Sequence, residues 1–129
     1  MKTYLDTSAA FKLCVPEVGS DALARAVTQR VDTDGLVASK LLETELHCAL
    51  ARRRGLAPGD VKDVLDTVAL VDLAREDLAR AATAGWGLRA LDAIHLATAV
   101  RLEVEEIITY DQELAEVADR IGIRVISPE

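Results

Sequence analysis

Short apolar runs recur along the chain, and longer segments between them return an apolar residue every three to four positions. Short runs rich in Val, Ile and Leu are typical of buried strands, and the longer spacing is typical of helices that pack one face against a core. The pattern predicts five strands, at Thr3–Leu5 and at 35–38, 70–73, 106–109 and 123–126.

Seven helices are predicted between these strands. Ser39 is a good N-cap for the helix that follows it, and Pro58 fits a first helical turn because proline lacks the N–H that is unpaired there. Gly55 and the Gly85-Trp86-Gly87 segment interrupt the helical pattern. The predicted helices span 7–13, 21–30, 40–54, 58–68, 75–84, 92–102 and 112–120.

The alternation of strands and helices indicates the fold class. Parallel strands need a long crossover, usually a helix, so the pattern predicts an α/β fold: three layers, with helices on both faces of a mostly parallel central sheet. No repeat or linker-like segment interrupts residues 1–129, so we expect a single domain. Ligands of such sheets bind beyond the carboxyl ends of the strands.

Composition and charge narrow the range of functions. Apolar residues make up 50% of the chain and aromatic residues 3%, so the core is expected to be aliphatic. The net charge of −7 disfavours a general nucleic-acid binder, which normally carries excess basic residues. No apolar stretch of about 18 residues predicts a membrane span. Asp6 comes too early for a secretory signal, so a cytoplasmic location is expected. Cys14 and Cys48 lack a zinc motif and are predicted to be small buried hydrophobic residues.

Two aspartates lie where the fold would place a site. Asp6 follows the first predicted strand and Asp111 follows the fourth, so their carboxylates would share one edge of the sheet if those strands are neighbours. Aspartate is also common in turns and at helix N-caps. For either residue taken alone, that explanation is equally good.

Glu45 lies within the apolar stripe of its predicted helix. It is three positions after Leu42 and four after Leu41, so it shares their face. A carboxylate on the inward face of a helix is unfavourable without a partner. Glu45 is therefore predicted to have one, whereas Glu43 is predicted to lie on the solvated face.

Asp92 opens the most apolar predicted helix, at 92–102. An N-cap role would account for it, and its place at the rim of the core would also suit a functional site. His95 lies one turn further along the same face, within reach of a hydrogen bond to Asp92. A histidine on such a face is more often structural than catalytic, so His95 is not included in the predicted catalytic set.

The four acids together indicate a metal site. Carboxylates held close to one another cannot all be ionised without a cation, because like charges raise one another's pKa. Oxygen ligands without soft donors favour Mg²⁺ or Mn²⁺ over zinc. Such an ion suits phosphodiester hydrolysis, because it activates water and offsets the charge that develops on the phosphate.

Four segments, in this order, resemble the PIN domain, and specifically the VapC toxins of type II VapBC toxin–antitoxin modules. They are 4–9 (YLDTSA), 39–46 (SKLLETEL), 91–99 (LDAIHLATA) and 108–111 (ITYD). The third is the most specific of the four, and the resemblance extends over essentially the whole chain. The length and the alternation of elements agree with that family, whose fold is the PIN-like three-layer α/β/α.

The resemblance implies an activity and a site. The implied catalytic residues are Asp6, Glu45, Asp92 and Asp111. Of these, Asp6, Asp92 and Asp111 are the implied metal ligands, Asp6 and Asp92 foremost, for Mg²⁺ or Mn²⁺. The family implies a metal-dependent endoribonuclease that cleaves cellular RNA and so inhibits translation and growth. It also implies neutralisation by a cognate VapB-type antitoxin, a homodimer and a toxin–antitoxin hetero-oligomer. By analogy, Ser8 and Thr109 help to position ligands or water.

Two other α/β families of this size lack their required residues here. A phosphate-accepting receiver domain needs a second acid beside the first and a lysine after the last-but-one strand. Thr7 and Ser8 follow Asp6 instead, and no lysine occurs after Lys62. A haloacid-dehalogenase-like phosphatase needs Asp-x-Asp, which Ser8 also excludes. The remaining alternative is a catalytically idle PIN-like module that binds only RNA or a protein, although the presence of all four acids argues against it.

Overall fold

The computed structural model describes residues 1–15, 19–31, 35–52 and 55–129, and it contains every predicted strand and helix in the predicted order. The strands are β1 (Thr3–Leu5), β2 (Leu36–Ser39), β3 (Ala69–Val71), β4 (Glu106–Ile108) and β5 (Arg124–Ile126). The helices are α1 (Thr7–Cys14), α2 (Ser20–Val31), α3 (Lys40–Ala51), α4 (Pro58–Thr67), α5 (Arg75–Thr83), α6 (Ala90–Arg101) and α7 (Gln112–Arg120).

The sheet is parallel throughout, with the strands in the order β3-β2-β1-β4-β5. The chain moves outward from β1 to β3, returns to β4 beside β1, and then moves outward on the other side. Because parallel crossovers are right-handed, this reversal places α1 to α4 on one face of the sheet and α5 to α7 on the other. The predicted three-layer α/β/α fold is confirmed.

The reversal of strand order between β1 and β4 creates a crevice at their carboxyl ends. The helices that follow these two strands, α1 and α7, turn to opposite faces of the sheet, so the chain ends between them stay open. The backbone N–H of Asp6 donates to the carbonyl of Ile108 at 3.1 Å, which ties the two strand ends together. Residues 6–8 and 109–111 therefore lie beside each other at this switch point.

The core is aliphatic, as predicted, and its centre is the pair of strands β1 and β4. Tyr4, Leu5, Ile107 and Ile108 are all fully buried. A parallel sheet that is covered on both faces requires such continuous apolar strands. Tyr4 differs from its neighbours because its hydroxyl must find hydrogen-bond partners inside the core.

Several predicted boundaries are wrong. The second strand begins at Leu36 because Gly35 has a φ of 106°, which strands do not adopt. It extends to Ser39, which pairs with Val71 of β3. Helix α6 begins at Ala90, before the predicted start at 92. Helix α3 ends at Ala51, and the last two residues of the predicted span, 53 and 54, lie outside the described residues.

Two expectations from composition have different outcomes. Cys14 is buried as predicted, but the prediction is wrong for Cys48, which is exposed. Cys48 lies two positions after the buried Leu46, and that spacing turns it to the other side of α3. Across the described parts of the chain, no helix combines the length and the apolar character needed to cross a membrane.

A buried ionic cluster closes the amino end of the central strands. Glu106 is 1% exposed, and its two carboxylate oxygens accept hydrogen bonds from Arg30 and Thr3 at one oxygen and from Arg124 at the other. Burial by itself would raise the pKa of Glu106. The hydrogen bonds from Arg30, Arg124 and Thr3 outweigh burial and hold the pKa at about 2.

Glu106 is expected to make the fold sensitive to acid. Because its folded-state pKa is about 2 against an ordinary 4.5, its contribution is complete above that ordinary value and is lost as the pH falls towards 2. Between pH 5 and pH 2, roughly, the wild type should lose about 2–3 kcal/mol more unfolding free energy than Glu106→Gln. Urea denaturation at a series of pH values measures this. The exposed neighbour gives the control, Glu105→Gln, which should keep the wild-type slope; equal slopes in all three proteins would contradict the assignment.

Candidate active site

Asp6 is the buried acid at the carboxyl end of β1, and it also caps α1. Its backbone is extended, as an N-cap requires, and its Oδ2 accepts from the Ser8 backbone N–H at 3.3 Å. The side chain is 2% exposed. The capping role and the site role considered for Asp6 therefore coexist, since one oxygen serves the helix and the other remains.

Two hydroxyl groups hold Asp6 in the same way from both strand ends. The Oγ of Ser8 and the Oγ1 of Thr109 each donate to Asp6 Oδ2 at 2.8 Å. Each hydroxyl also accepts a backbone N–H, from Tyr110 at 2.9 Å and from Asp111 at 3.1 Å, respectively. Each hydroxyl is held in place because it donates its hydrogen to Asp6 and accepts a backbone N–H. Together the two hydroxyls fix the Asp6 carboxylate in one orientation.

The other oxygen of Asp6, Oδ1, is buried and has no hydrogen-bond partner among the described residues. Leaving a buried carboxylate oxygen without a partner is unfavourable, by an amount on the order of 1–3 kcal/mol. Structures usually avoid this cost, and exceptions are concentrated at functional sites. The bare Oδ1 therefore makes Asp6 a candidate ligand for a cation.

Asp92 lies in the first turn of α6, so the N-cap interpretation is wrong. The helix begins earlier than predicted, and Arg89 occupies the cap position. The pKa of Asp92 is raised to about 6, first by burial, then by the negative charges of Asp111 and Asp6, and to a smaller extent by Glu45. The other three predicted acids are thus close enough to Asp92 to repel its carboxylate.

Asp111 begins α7 and caps it. Its Oδ1 accepts from the Leu114 N–H at 2.9 Å, which is the helix-cap role considered for it from sequence. Because β1 and β4 are neighbours, as the argument from sequence required, Asp111 also lies at the same sheet edge as Asp6. Like Asp6, it serves a helix and the acidic cluster together.

Glu45 reaches the site from α3, and Glu43 does not. The Oε1 of Glu45 accepts from the hydroxyl of Thr7 at 2.8 Å and lies 2.5 Å from Nε2 of His95. Within the described ranges, the side chain of Glu43 forms no hydrogen bond or ion pair. Glu45 shares the face of the buried Leu42, as the spacing predicted. Its contacts with Thr7 and His95 confirm the prediction that it has a partner.

His95 is buried, as expected for a structural histidine, but its partners differ from the predicted one. Its ring nitrogens lie against Tyr4, Thr7 and Glu45 rather than forming the expected hydrogen bond to Asp92. The contribution of Tyr4 and Thr7 was not predicted. The available signal was the phenol of Tyr4 in a fully buried strand, since a buried hydroxyl requires a partner.

The donor set fits a hard divalent cation held by few protein ligands. No group of three or more His, Cys, Asp or Glu side chains in the described parts of the chain is arranged to hold a metal ion. Mg²⁺ in proteins usually keeps several of its waters and binds only one or two carboxylates. The bare Oδ1 of Asp6 suits such an ion, and so does Asp92, whose negative charge is disfavoured by burial and by the neighbouring acids. Direct coordination by Asp6, Asp92 and Asp111 together stays a prediction.

Fold and site first define a general class: a doubly wound parallel α/β protein with a cluster of carboxylates at its switch point. Residues 3–120 match the family model of the PIN domain, and the chain belongs to the PIN domain family. Ribonuclease VapC46 of Mycobacterium tuberculosis is 40% identical over 136 residues, which cover 97% of this chain and 96% of that protein. Ribonuclease VapC35 of the same organism is 36% identical over 133 residues, with the same coverage of both chains.

A solved structure agrees on the fold. The structure of VapBC2 from Rickettsia felis, bound to a DNA fragment from their promoter, matches with a TM-score of 0.74. The match covers 100% of both chains at 11% sequence identity. Identity this low supports the fold alone, and the resemblance stated from the sequence rests on the family model and on the two mycobacterial relatives.

Removing the charge of Asp92 is expected to stabilise the cation-free protein. Asp92→Asn relieves the repulsion from Asp111 and Asp6, so its unfolding free energy at neutral pH in EDTA should exceed that of the wild type by about 1 kcal/mol. The matched control is Asp60→Asn, because Asp60 also lies in a first helical turn but is exposed. It should be neutral or slightly destabilising. Urea denaturation measures both, and an Asp92→Asn variant no more stable than the wild type would exclude the repulsion.

Proposed function

We propose that the chain is an Mg²⁺-dependent endoribonuclease that acts as the toxin of a type II toxin–antitoxin module. In this proposal it cleaves cellular RNA, inhibits translation and growth, and is neutralised by a cognate VapB-type antitoxin. The observation that carries the activity is the buried Asp6, held by two hydroxyls with Oδ1 bare, beside an Asp92 whose pKa is raised by burial and then by neighbouring acids. The choice of RNA as substrate is supported by relatives of 36–40% identity that are named ribonucleases.

The predicted ligands divide by how they are held. Asp6 would offer Oδ1 to the ion from a fixed orientation, and Asp92, whose carboxylate forms no hydrogen bond with the described residues, can adjust to it. Asp111 keeps one carboxylate oxygen for the cap of α7 and has the other for the ion or its waters. When bound, Mg²⁺ or Mn²⁺ supplies activation of water and stabilisation of charge on the phosphate.

Glu45 has a different role from the three aspartates. Its hydrogen bonds within the described part of the chain are all made by Oε1, so Oε2 is available to a water or to the substrate. We assign to Glu45 the orientation of the attacking water and acceptance of its proton. Thr7 and His95 hold Oε1 and thereby set the direction of Oε2.

The charge of the chain fits a selective nuclease better than a broad RNA binder. A net charge of −7 gives little general attraction for phosphates, and a divalent cation at the cluster offsets part of it. The antitoxin, the homodimer and the toxin–antitoxin hetero-oligomer belong to the same proposal, as does a cytoplasmic location. The antitoxin is proposed because the relatives of 36–40% identity are named VapC, as are the toxins of the VapBC modules that the sequence resembles.

Cleavage of RNA should require both Asp6 and Asp92, the two foremost predicted metal ligands. Asp6→Asn and Asp92→Asn should each lower the cleavage rate at least about 100-fold, since the ion contributes several kcal/mol to the transition state. The measurement is incubation of total RNA of the expression host with Mg²⁺, Mn²⁺ or EDTA, with new ends mapped by sequencing. Asp60→Asn is the control and should cleave as the wild type does. Cleavage by either site variant at the wild-type rate would refute the mechanism, and a folded wild type that never cleaves would favour the idle binding module.

Substitution of each glutamate of α3 in turn distinguishes a residue of the proposed site from a residue outside it. Glu45→Gln should lower the cleavage rate by about 100-fold, the usual size of a general-base contribution, because it removes the proton acceptor. Glu43→Gln is the matched control, since the side chain of Glu43, on the same helix, forms no hydrogen bond or ion pair with the described residues. Its rate should stay within twofold, roughly, of the wild-type rate. Loss of activity in Glu43→Gln with retention in Glu45→Gln would reverse the assignment.

A further inference from the structure

Tyr4 places a hydroxyl group in the centre of the core, between β2 and α6. Its Oη lies 3.1 Å from the backbone nitrogen of Ser39 and 2.6 Å from Nδ1 of His95. Tyr4 and Ser39 are fully buried and His95 is 1% exposed, so solvent does not compete for these hydrogens. Each hydrogen in this group must therefore be satisfied within it.

The backbone N–H of Ser39 decides the direction of every other hydrogen bond. A backbone N–H can only donate, so Tyr4 Oη accepts from Ser39, and the phenol hydrogen needs an acceptor of its own. In the described part of the chain, the other polar atom within hydrogen-bond distance of Oη is Nδ1 of His95. Tyr4 thus donates to Nδ1, and Nδ1 carries no hydrogen.

This fixes the tautomer of His95. With Nδ1 as acceptor, the ring is a neutral imidazole with its hydrogen on Nε2, which lies 2.5 Å from Glu45 Oε1. A doubly protonated ring would donate from Nδ1 to Tyr4 and leave the phenol hydrogen buried without an acceptor, which is unfavourable. The Nε2–H of His95 and the hydroxyl of Thr7 therefore both donate to Oε1 of Glu45.

Ser39, whose backbone N–H begins this series of hydrogen bonds, also caps the helix that carries Glu45. The Oγ of Ser39 accepts from the N–H of Leu41 at 3.0 Å and caps α3. The position of Glu45 is therefore fixed in two ways: by the backbone of α3, and by the hydrogen bonds that run from Tyr4 through His95 to its carboxylate. Thermal rotation of the Glu45 side chain is restricted at Oε1, and Oε2 is kept in one direction.

We propose that Tyr4 and His95 are positioning residues for Glu45. The N–H of Ser39 orients the Tyr4 hydroxyl, the hydroxyl selects the Nε2–H tautomer of His95, and that N–H holds Glu45 Oε1 so that Oε2 faces the reaction. The importance of this series for cleavage rests on the proposed function of Glu45, whereas the tautomer of His95 does not depend on any activity.

The tautomer is tested by nitrogen NMR of protein labelled with ¹⁵N-histidine. The chain contains two histidines, and the exposed His47 can be assigned with His47→Gln. We expect His95 to show an unprotonated Nδ1 and a protonated Nε2 in the wild type. Tyr4→Phe removes the donor to Nδ1 and should leave Nδ1 partly protonated while Nε2 keeps its hydrogen, because Oε1 of Glu45 can only accept. A wild-type His95 with a protonated Nδ1 would overturn the proposal, whether or not the protein cleaves RNA.

The positioning role is tested by a double-mutant cycle with Glu45. The substrate is a synthetic oligonucleotide that spans a cleavage site mapped in total RNA. His95→Leu should lower kcat about 10- to 100-fold, the usual effect of losing a group that orients a ligand, with little change in KM. In the Glu45→Gln background the same substitution should lower kcat little further, because the residue at that position no longer accepts the proton.

Rescue and controls complete the cycle. His95→Gln, whose side-chain amide can replace the Nε2–H, should recover most of the activity, and His47→Gln should behave as the wild type does. Tyr4→Phe removes one hydroxyl only and runs the same cycle if His95→Leu does not fold. Equal losses of kcat in the wild-type and Glu45→Gln backgrounds would show a general structural effect and overturn the positioning role. Absence of cleavage in the wild type with the expected tautomer present would overturn the proposed function instead.

Discussion

The buried carboxylate of Asp6 is the constraint around which this molecule is organised. It lies at the end of the central strand, where the strand order reverses, and it joins the two strand ends through Ser8 and Thr109. Both hydroxyls also accept backbone N–H groups, from Tyr110 and Asp111, which fixes the position of the segment that carries Asp111 relative to Asp6. The fold thereby holds several negative charges together, and one buried oxygen stays without a partner among the described residues.

A comparison among the buried acids shows how the candidate site differs from the rest of the described structure. Glu106 is paired with Arg30 and Arg124, and its pKa is held at about 2 against the effect of burial. Asp77 is paired with Arg101, and although burial opposes it, the hydrogen bonds hold its pKa below the usual value. The Asp6 carboxylate accepts from two hydroxyls and one backbone N–H, and it binds no arginine or lysine among the described residues. Glu106 and Asp77 are thus each paired with a cationic side chain of the protein, whereas the described residues supply none to Asp6.

The two sides of the site are held in physically different ways. Asp6 and Asp111 are fixed by short segments that follow neighbouring strands, so their separation is set by the sheet. Glu45 comes from a helix on the next crossover and is fixed through Tyr4 and His95, which connect it back to the central strand. A single residue, Ser39, contributes to both systems, because its side chain begins α3 and its backbone N–H binds Tyr4.

The sequence by itself determined the fold class, the order of the elements and the acids that belong together. These follow from apolar spacing and from the ends of strands, which are local properties, and from segments specific to the PIN family. It also distinguished Glu45 from Glu43, because the face of a helix depends only on spacing. The tertiary structure alone decided that Arg89 rather than Asp92 caps α6, that Oδ1 of Asp6 is bare, and that His95 binds Glu45 rather than Asp92. Those outcomes depend on which atoms from distant elements meet, with hydrogen-bond partners as far apart in sequence as Tyr4 and His95, and no local pattern contains that information.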